Sequence, residues 1–347
     1  MDTTNKPKFD TMNMSKKSRY LYETMWGSPE FDFPIEKTNG SSKNSYSFTN
    51  ASTTNEAACS DRLIELFGIT DKELFKEKFH QSCGGSGNEI TRISTLHSSA
   101  LCALLFFYNV TDRHPLKLNV NGRDCVFIHS RFEFKNPVIK NPSNMDVTLV
   151  GRYADSDKPV VLFLESKFSE YMERTDKKLD ISGAYKDHKF SKAVYDETPK
   201  KLGLNVSETK TVKSKDGKTE KEIFTLSSPE ACYLEGIKQM ISHFIGVNNF
   251  IEKGPVTNDD VITSVRGNAD IYLGAIFFDK GISNFEIRKG VTCYKSYRTK
   301  YEKLADILNA QPSSVTVIKE LFSYTIFENA DFIKEDKIKK FYFELGK

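Results

Sequence analysis

The residues able to do chemistry gather at the end of one apolar run. Pro159 to Lys167 reads PVVLFLESK, β-branched and aromatic until it meets Glu165, Ser166 and Lys167. The run before it, Met145 to Gly151, carries Asp146 at its head. Both have the composition of buried strands. Side chains alternate across a strand, so Glu165 and Lys167 share one face while Ser166 points to the other. A carboxylate and an ammonium therefore emerge side by side from the strand end, and Asp146 on the neighbouring strand reaches the same end of the sheet. Two carboxylates converging on one point can hold a hard divalent cation, Mg2+ or Mn2+. A lysine beside them can orient a water or neutralise growing negative charge. A salt bridge at a strand end is the structural alternative for the same residues.

Other elements must position these strands. Ile93 to Val110 is an almost continuous apolar stretch, read as a helix buried on several sides, with His97 as a hydrogen-bonded core histidine. A hairpin follows: Leu116 to Val120, a turn at Asn121-Gly122, then Asp124 to Ile139. In its second arm Arg131, Glu133 and Lys135 share one face, and Glu133 either joins the acidic cluster or belongs to a solvated strand face. Pro229 to Asn249 is an amphipathic helix with Leu234, Ile237, Ile241, Phe244 and Ile245 as its apolar stripe. Gln239 and His243 lie four apart on nearly the opposite side, where they serve either the site or a polar solvent face. Ala269 to Asp279 is a further buried strand. Cys83 to Asn88, CGGSGN, precedes a helix but lacks the Lys-Ser/Thr of a P-loop, so it reads as a hinge rather than a phosphate cradle.

Asp146 with Glu165-Ser166-Lys167 resembles the PD-(D/E)XK nuclease superfamily, and within it a little-characterised bacterial group. In that superfamily an Asp after a Pro-containing turn opens one strand and Glu-x-Lys closes the next. Here three residues separate Pro142 from Asp146, the loose form of the motif. The resemblance spans roughly residues 93 to 279 and implies an α/β fold. That fold is a restriction-endonuclease-like αβββαβ core, its mixed central sheet flanked by helices, with N-terminal and C-terminal helical additions. It implies Mg2+- or Mn2+-dependent hydrolysis of nucleic acid, foremost DNA. Asp146, Glu165 and the Ser166 carbonyl would hold the metal, and Lys167 and Gln239 would join Asp146 and Glu165 in the catalytic set. Some members carry Gln-x-x-x-Tyr on the helix after the motif; this chain has Gln-x-x-x-His at Gln239 and His243. A non-catalytic module of the same fold, binding nucleic acid or protein, is the alternative.

Length and composition set bounds. The 347 residues suit one elaborated α/β domain over residues 59–347, and 38% hydrophobic residues with 26 Phe supply a large core. A net charge of +3 neither favours nor excludes a nucleic-acid partner. The six cysteines have no paired spacing, which suits free thiols in a reducing compartment. No apolar run is long enough to span a membrane and no apolar signal core stands at the N-terminus, so a cytoplasmic protein is expected. A homodimer stays open. Residues 1–58 read as a polar, partly disordered segment with isolated aromatics around Trp26. Arg174 to Phe224 is a polar insertion with 13 Lys/Arg against 9 Asp/Glu and a hairpin turning at Asp216-Gly217. It reads equally as a basic flap or a solvated surface. Residues 292–347 read as helical, and the stripe Tyr294, Tyr297, Tyr301, Leu304, Leu308 reads as core.

Overall fold

The structure, a computed structural model, describes residues 33–37, 46–84, 87–139, 141–168, 178–207, 210–213, 220–230, 232–279, 288–328 and 330–343. Trp26 and most of the polar N-terminal segment lie outside them. Ile35–Lys37 (β1) and Tyr46–Phe48 (β2) pair antiparallel. Glu56–Phe67 (α1) and Lys72–Ser82 (α2) follow, capped by Asn55 and Asp71, with Gly68 ending α1 at φ 66°.

Of the helix expected over Ile93 to Val110, only Ser99–Phe107 (α4) forms; a separate short helix, Gly87–Ile93 (α3), ends where the expected one was to begin. Ser98 is extended, and its hydroxyl accepts from Leu101 N at 3.1 Å, which starts the helix there. His97 is therefore half-buried in the turn before the helix rather than within it.

The hairpin forms as the Asn-Gly pair requires. Thr111–Val120 (β3) turns into Arg123–Asn136 (β4) through Asn121 and Gly122, at φ 52° and 82°. Ser143–Tyr153 (β5) and Pro159–Lys167 (β6) complete an antiparallel meander. The insertion folds into a small separate sheet of Lys178–Ser182 (β7), Asn205–Val206 (β8), Lys210–Lys213 (β9) and Glu220–Ser227 (β10), with Thr198–Leu202 (α5). β9 and β10 are the expected hairpin, whose turn at Asp216-Gly217 lies outside the described residues. Several insertion cations are paired, Lys186 with Glu222 and Lys189 with Glu252 among them.

Leu234–Lys253 (α6) starts later than its sequence pattern and is buried along most of its circumference, not on one stripe. Asp260–Val265 (α7) leads to Asp270–Phe277 (β11), which lies parallel to β6. After Arg288–Asn309 (α8) comes a departure from the helical expectation: Val315–Val317 (β12) and Phe322–Ser323 (β13) both join β11 in parallel. The alternating valines of Val315-Thr316-Val317 favour a strand in a pleated, half-buried position. Asp336–Phe343 (α9) closes the described chain.

The result is a mixed seven-stranded sheet in the order β12-β11-β6-β5-β4-β3, with β13 beside β11, flanked by helices. On one face Phe250 of α6 meets Phe134 and Phe163 at ring separations of 5.8 and 5.7 Å. On the other, Phe106 of α4 lies 4.8 Å from the ring of Tyr324. Tyr297, Tyr301, Leu304 and Leu308 are all buried, so the α8 stripe is core. Among the described residues no helix is long and apolar enough to cross a membrane.

Gly151 marks the tightest strand approach. A Cβ there would lie 2.1 Å from the Val126 carbonyl oxygen, beside the irregular register between Phe127 and His129. Gly151→Ala is expected to cost about 2 kcal/mol or more, because backbone rather than a mobile side chain must yield. Gly267→Ala, with nothing within 4 Å, should stay within about 0.5 kcal/mol of wild type in the same urea unfolding series. Equal midpoints for the two variants would contradict this packing.

Candidate functional site

The backbone ladder between β5 and β6 runs to Val147↔Leu164. Beyond it a side chain takes over: Asp146 Oδ2 accepts from Ser166 N at 2.6 Å. The Asp146 carboxyl is thereby fixed to the middle of the Glu-Ser-Lys segment, where the two strands separate.

Glu165 is held at both oxygens. Lys167 Nζ donates to Oε1 at 2.5 Å, and His243 Nε2 of α6 lies 2.8 Å from Oε2. An ionised carboxylate can only accept, so His243 donates through Nε2–H. Glu165, Lys167 and His243 are 4%, 6% and 4% exposed. The Glu165–Lys167 pair thus does not emerge from the strand end as expected from its position; α6 covers it.

Ser166 faces the other way. Its hydroxyl donates to the Ser99 carbonyl at 3.2 Å or shares a hydrogen bond with Tyr324 OH at 2.8 Å, and its backbone is in register with Ile276 of β11.

The two carboxyls titrate in opposite directions. Burial acts to raise Glu165, but the charges of Lys167 and His243 and their hydrogen bonds outweigh it and hold Glu165 well below the usual carboxylate range. Asp146 is pushed well above that range, first by burial and then by the negative charge of Glu165. Lys167 and the Ser166 N–H offset this only in part, and Glu133 adds to it. Although its carboxyl is crowded, Asp146 as a whole residue is only half-buried.

Glu133 sits half-buried at φ 48°, a left-handed conformation within β4. The register to β5 nevertheless runs without a shift from Arg131↔Thr148 to Lys135↔Asn144, and Arg131, Glu133 and Lys135 share one half-buried face as expected. Glu133 contributes to the site electrostatically, as a charge felt by Asp146.

Gln239 and His243 take different places. Gln239 is half-buried and accepts from Tyr233 OH at 3.4 Å, while His243, one turn later, reaches Glu165. Tyr233 in turn packs 5.5 Å from Tyr297, a buried phenol close enough to Lys167 and Glu165 to feel their charges. His243 and Tyr297 complete the surroundings of the pair. The spacing of Gln239 and His243 on one helical face was a usable signal for the first; nothing in the tyrosine stripe marks Tyr297 as a neighbour of Lys167.

The donors present fit a hard cation. Asp146 and Glu165 offer oxygen only, and the Asp146 carboxyl is raised first by burial and then by the negative charge of Glu165, the part that a cation would relieve. Among the described residues no three His, Cys, Asp or Glu side chains gather closely enough to hold a metal as a set. Such a site would depend on backbone oxygen, water and substrate. Compared with known protein families, curated proteins and solved structures, the chain matches none.

The opposed carboxyls predict opposed mutational effects. A carboxyl whose folded pKa is raised destabilises the fold once pH exceeds its unfolded pKa of about 3.9. Asp146→Asn, which can still accept from Ser166 N, should therefore raise Tm by about 2 °C or more at pH 7.5 without metal, and by less near pH 4. Glu165 is depressed, so its contribution is present above its unfolded pKa of about 4.3 and is lost as pH falls through the folded value. Glu165→Gln should cost roughly 3–5 kcal/mol at pH 7.5, because buried Lys167 loses its counter-charge. Melting curves of both variants at the two pH values check this; destabilisation by Asp146→Asn at pH 7.5 would refute the assignment of strain to Asp146.

Proposed function

We propose that the chain is a Mg2+- or Mn2+-dependent nuclease of the PD-(D/E)XK type, hydrolysing phosphodiester bonds of DNA. The observation that carries the reading is the convergence of Asp146, Glu165 and Lys167 at one strand end, with Asp146 bound to the Ser166 N–H between the other two. The succession of α4, the meander through β6, α6 and then β11 parallel to β6 supports a restriction-endonuclease-like core. A cytoplasmic setting fits the described cysteines, which are buried thiols rather than disulfides.

In this reading Asp146, Glu165 and the Ser166 carbonyl hold the cation. When bound, the cation supplies a Lewis acid for the phosphate oxygens and lowers the pKa of water. Asp146 must give up its proton to serve as a ligand, so cation affinity rises with pH across the raised Asp146 pKa. Lys167 brings a fixed positive charge to neutralise charge developing on the phosphate. His243 holds Glu165 from the helix side, which limits the carboxylate to one orientation. Tyr297 and α6 exclude bulk water from that side and strengthen these interactions.

One observation favours a second reading, a non-catalytic module of the same architecture. Both Glu165 oxygens already have buried partners, so the Lys167–Glu165–His243 group is complete as a structural unit.

Cleavage of supercoiled plasmid separates the two readings. Wild type should nick or linearise plasmid with Mg2+ or Mn2+ and not with EDTA. Asp146→Asn and Lys167→Met should lower the rate at least about a hundredfold while remaining folded by circular dichroism. Plasmid binding without cleavage in either metal would establish the module instead.

A further inference from the structure

A groove of about 840 Å³ lies between β3 and the chain from Glu320 to Lys334, within the size range of small-molecule sites. Its wall includes Ile326 and Phe327 of the turn Tyr324–Phe327. Tyr324 OH holds Ser166 Oγ, and the Ser166 side chain points away from Glu165 and Lys167. The groove therefore backs onto the candidate site rather than opening into it.

Its lining combines two kinds of group. Phe322 and Phe332 present half-exposed rings, and Ile326 is 44% exposed. Arg113, Lys117 and Lys334 are exposed on the rim, and none has a carboxylate partner among the described residues. Lys334 Nζ instead lies 3.0 Å from His114 Nδ1, which places two basic groups side by side. Glu320 and Asp331 also line the groove, leaving three cations against two carboxylates.

We propose that this groove binds a free nucleotide, its planar base against Phe322 or Phe332 and its phosphates on Arg113, Lys117 and Lys334. Phosphate oxygens provide the charge-assisted acceptors that the three cations lack. A planar base covers aromatic surface that a simple anion would leave wet. An aliphatic ligand would bury the rings but leave the cations unanswered. A volume of about 840 Å³ is that of a site for one small molecule. This assignment does not depend on nuclease activity.

The test is calorimetric titration of the full chain with ADP in EDTA at low salt. One ADP per chain is expected. The combined Arg113→Ser, Lys117→Ser and Lys334→Ser variant should bind at least about tenfold more weakly, and Phe332→Ser should also weaken binding. Asp146→Asn should bind as wild type does, which separates this groove from the carboxylate site. Adenosine and pyrophosphate should each bind more weakly than ADP, because each lacks one half of the recognition. Absence of heat with millimolar ADP, unchanged affinity in the triple variant, or pyrophosphate equal to ADP would overturn the proposal. Oligothymidylate or polyglutamate binding more tightly than ADP would overturn it too, by assigning the groove to a single strand or an acidic protein.

Discussion

The fold near the candidate site depends on keeping one ionised carboxylate buried. Glu165 lies in the interior at 4% exposure, where an unpaired charge would cost several kcal/mol. Two cation-capable partners make that burial tolerable, and they come from different layers. Lys167 belongs to the same strand, whereas His243 belongs to α6, which packs on that face of the sheet. The same interaction therefore fixes the rotation of α6 and the orientation of the carboxylate. Because α6 is buried on most sides, its polar residues must find partners inside the protein. His243 does so through Nε2, while its buried Nδ1 has no hydrogen-bond partner among the described residues.

Asp146 is the counterpart that the arrangement leaves under strain. It replaces a rung of backbone ladder with a side-chain bond to Ser166 N and so sits close to Glu165, with Glu133 adding charge. One carboxyl in this pair is stabilised as an anion and the other is pushed toward its protonated form. Environments that drive neighbouring titratable groups apart are common where chemistry is done, though structural networks do the same. Asp146 is half-buried where Glu165 and Lys167 are buried, and that difference separates it from the sealed ion pair beside it.

Much of this was legible in the sequence because it follows from local pattern. The period of two in PVVLFLESK determines which side chains share a face, and the structure has β6 at Pro159–Lys167. Asn121-Gly122 made the β3–β4 turn readable, since few other pairs adopt two positive φ values easily. The burial of Lys167 and Glu165 was not legible, because it depends on α6 arriving from more than sixty residues away. The same is true of His243: a polar helical face reads as solvent-facing until a second layer covers it. Ser98 delayed the start of the helix expected from Ile93 because capping geometry overruled apolar continuity. β12 and β13 were missed because strands of three and two residues carry almost no periodic signal and gain their place only from β11.

The central claim is that Asp146 and Glu165 together form a site for a hard cation. Anomalous diffraction from a crystal soaked in Mn2+ tests it most directly. The account predicts a manganese peak in contact with the Asp146 and Glu165 carboxylates, next to the Ser166 carbonyl, and its loss in Asp146→Asn. A saturating soak that leaves the Lys167–Glu165–His243 group unchanged and puts no manganese at Asp146 would contradict it.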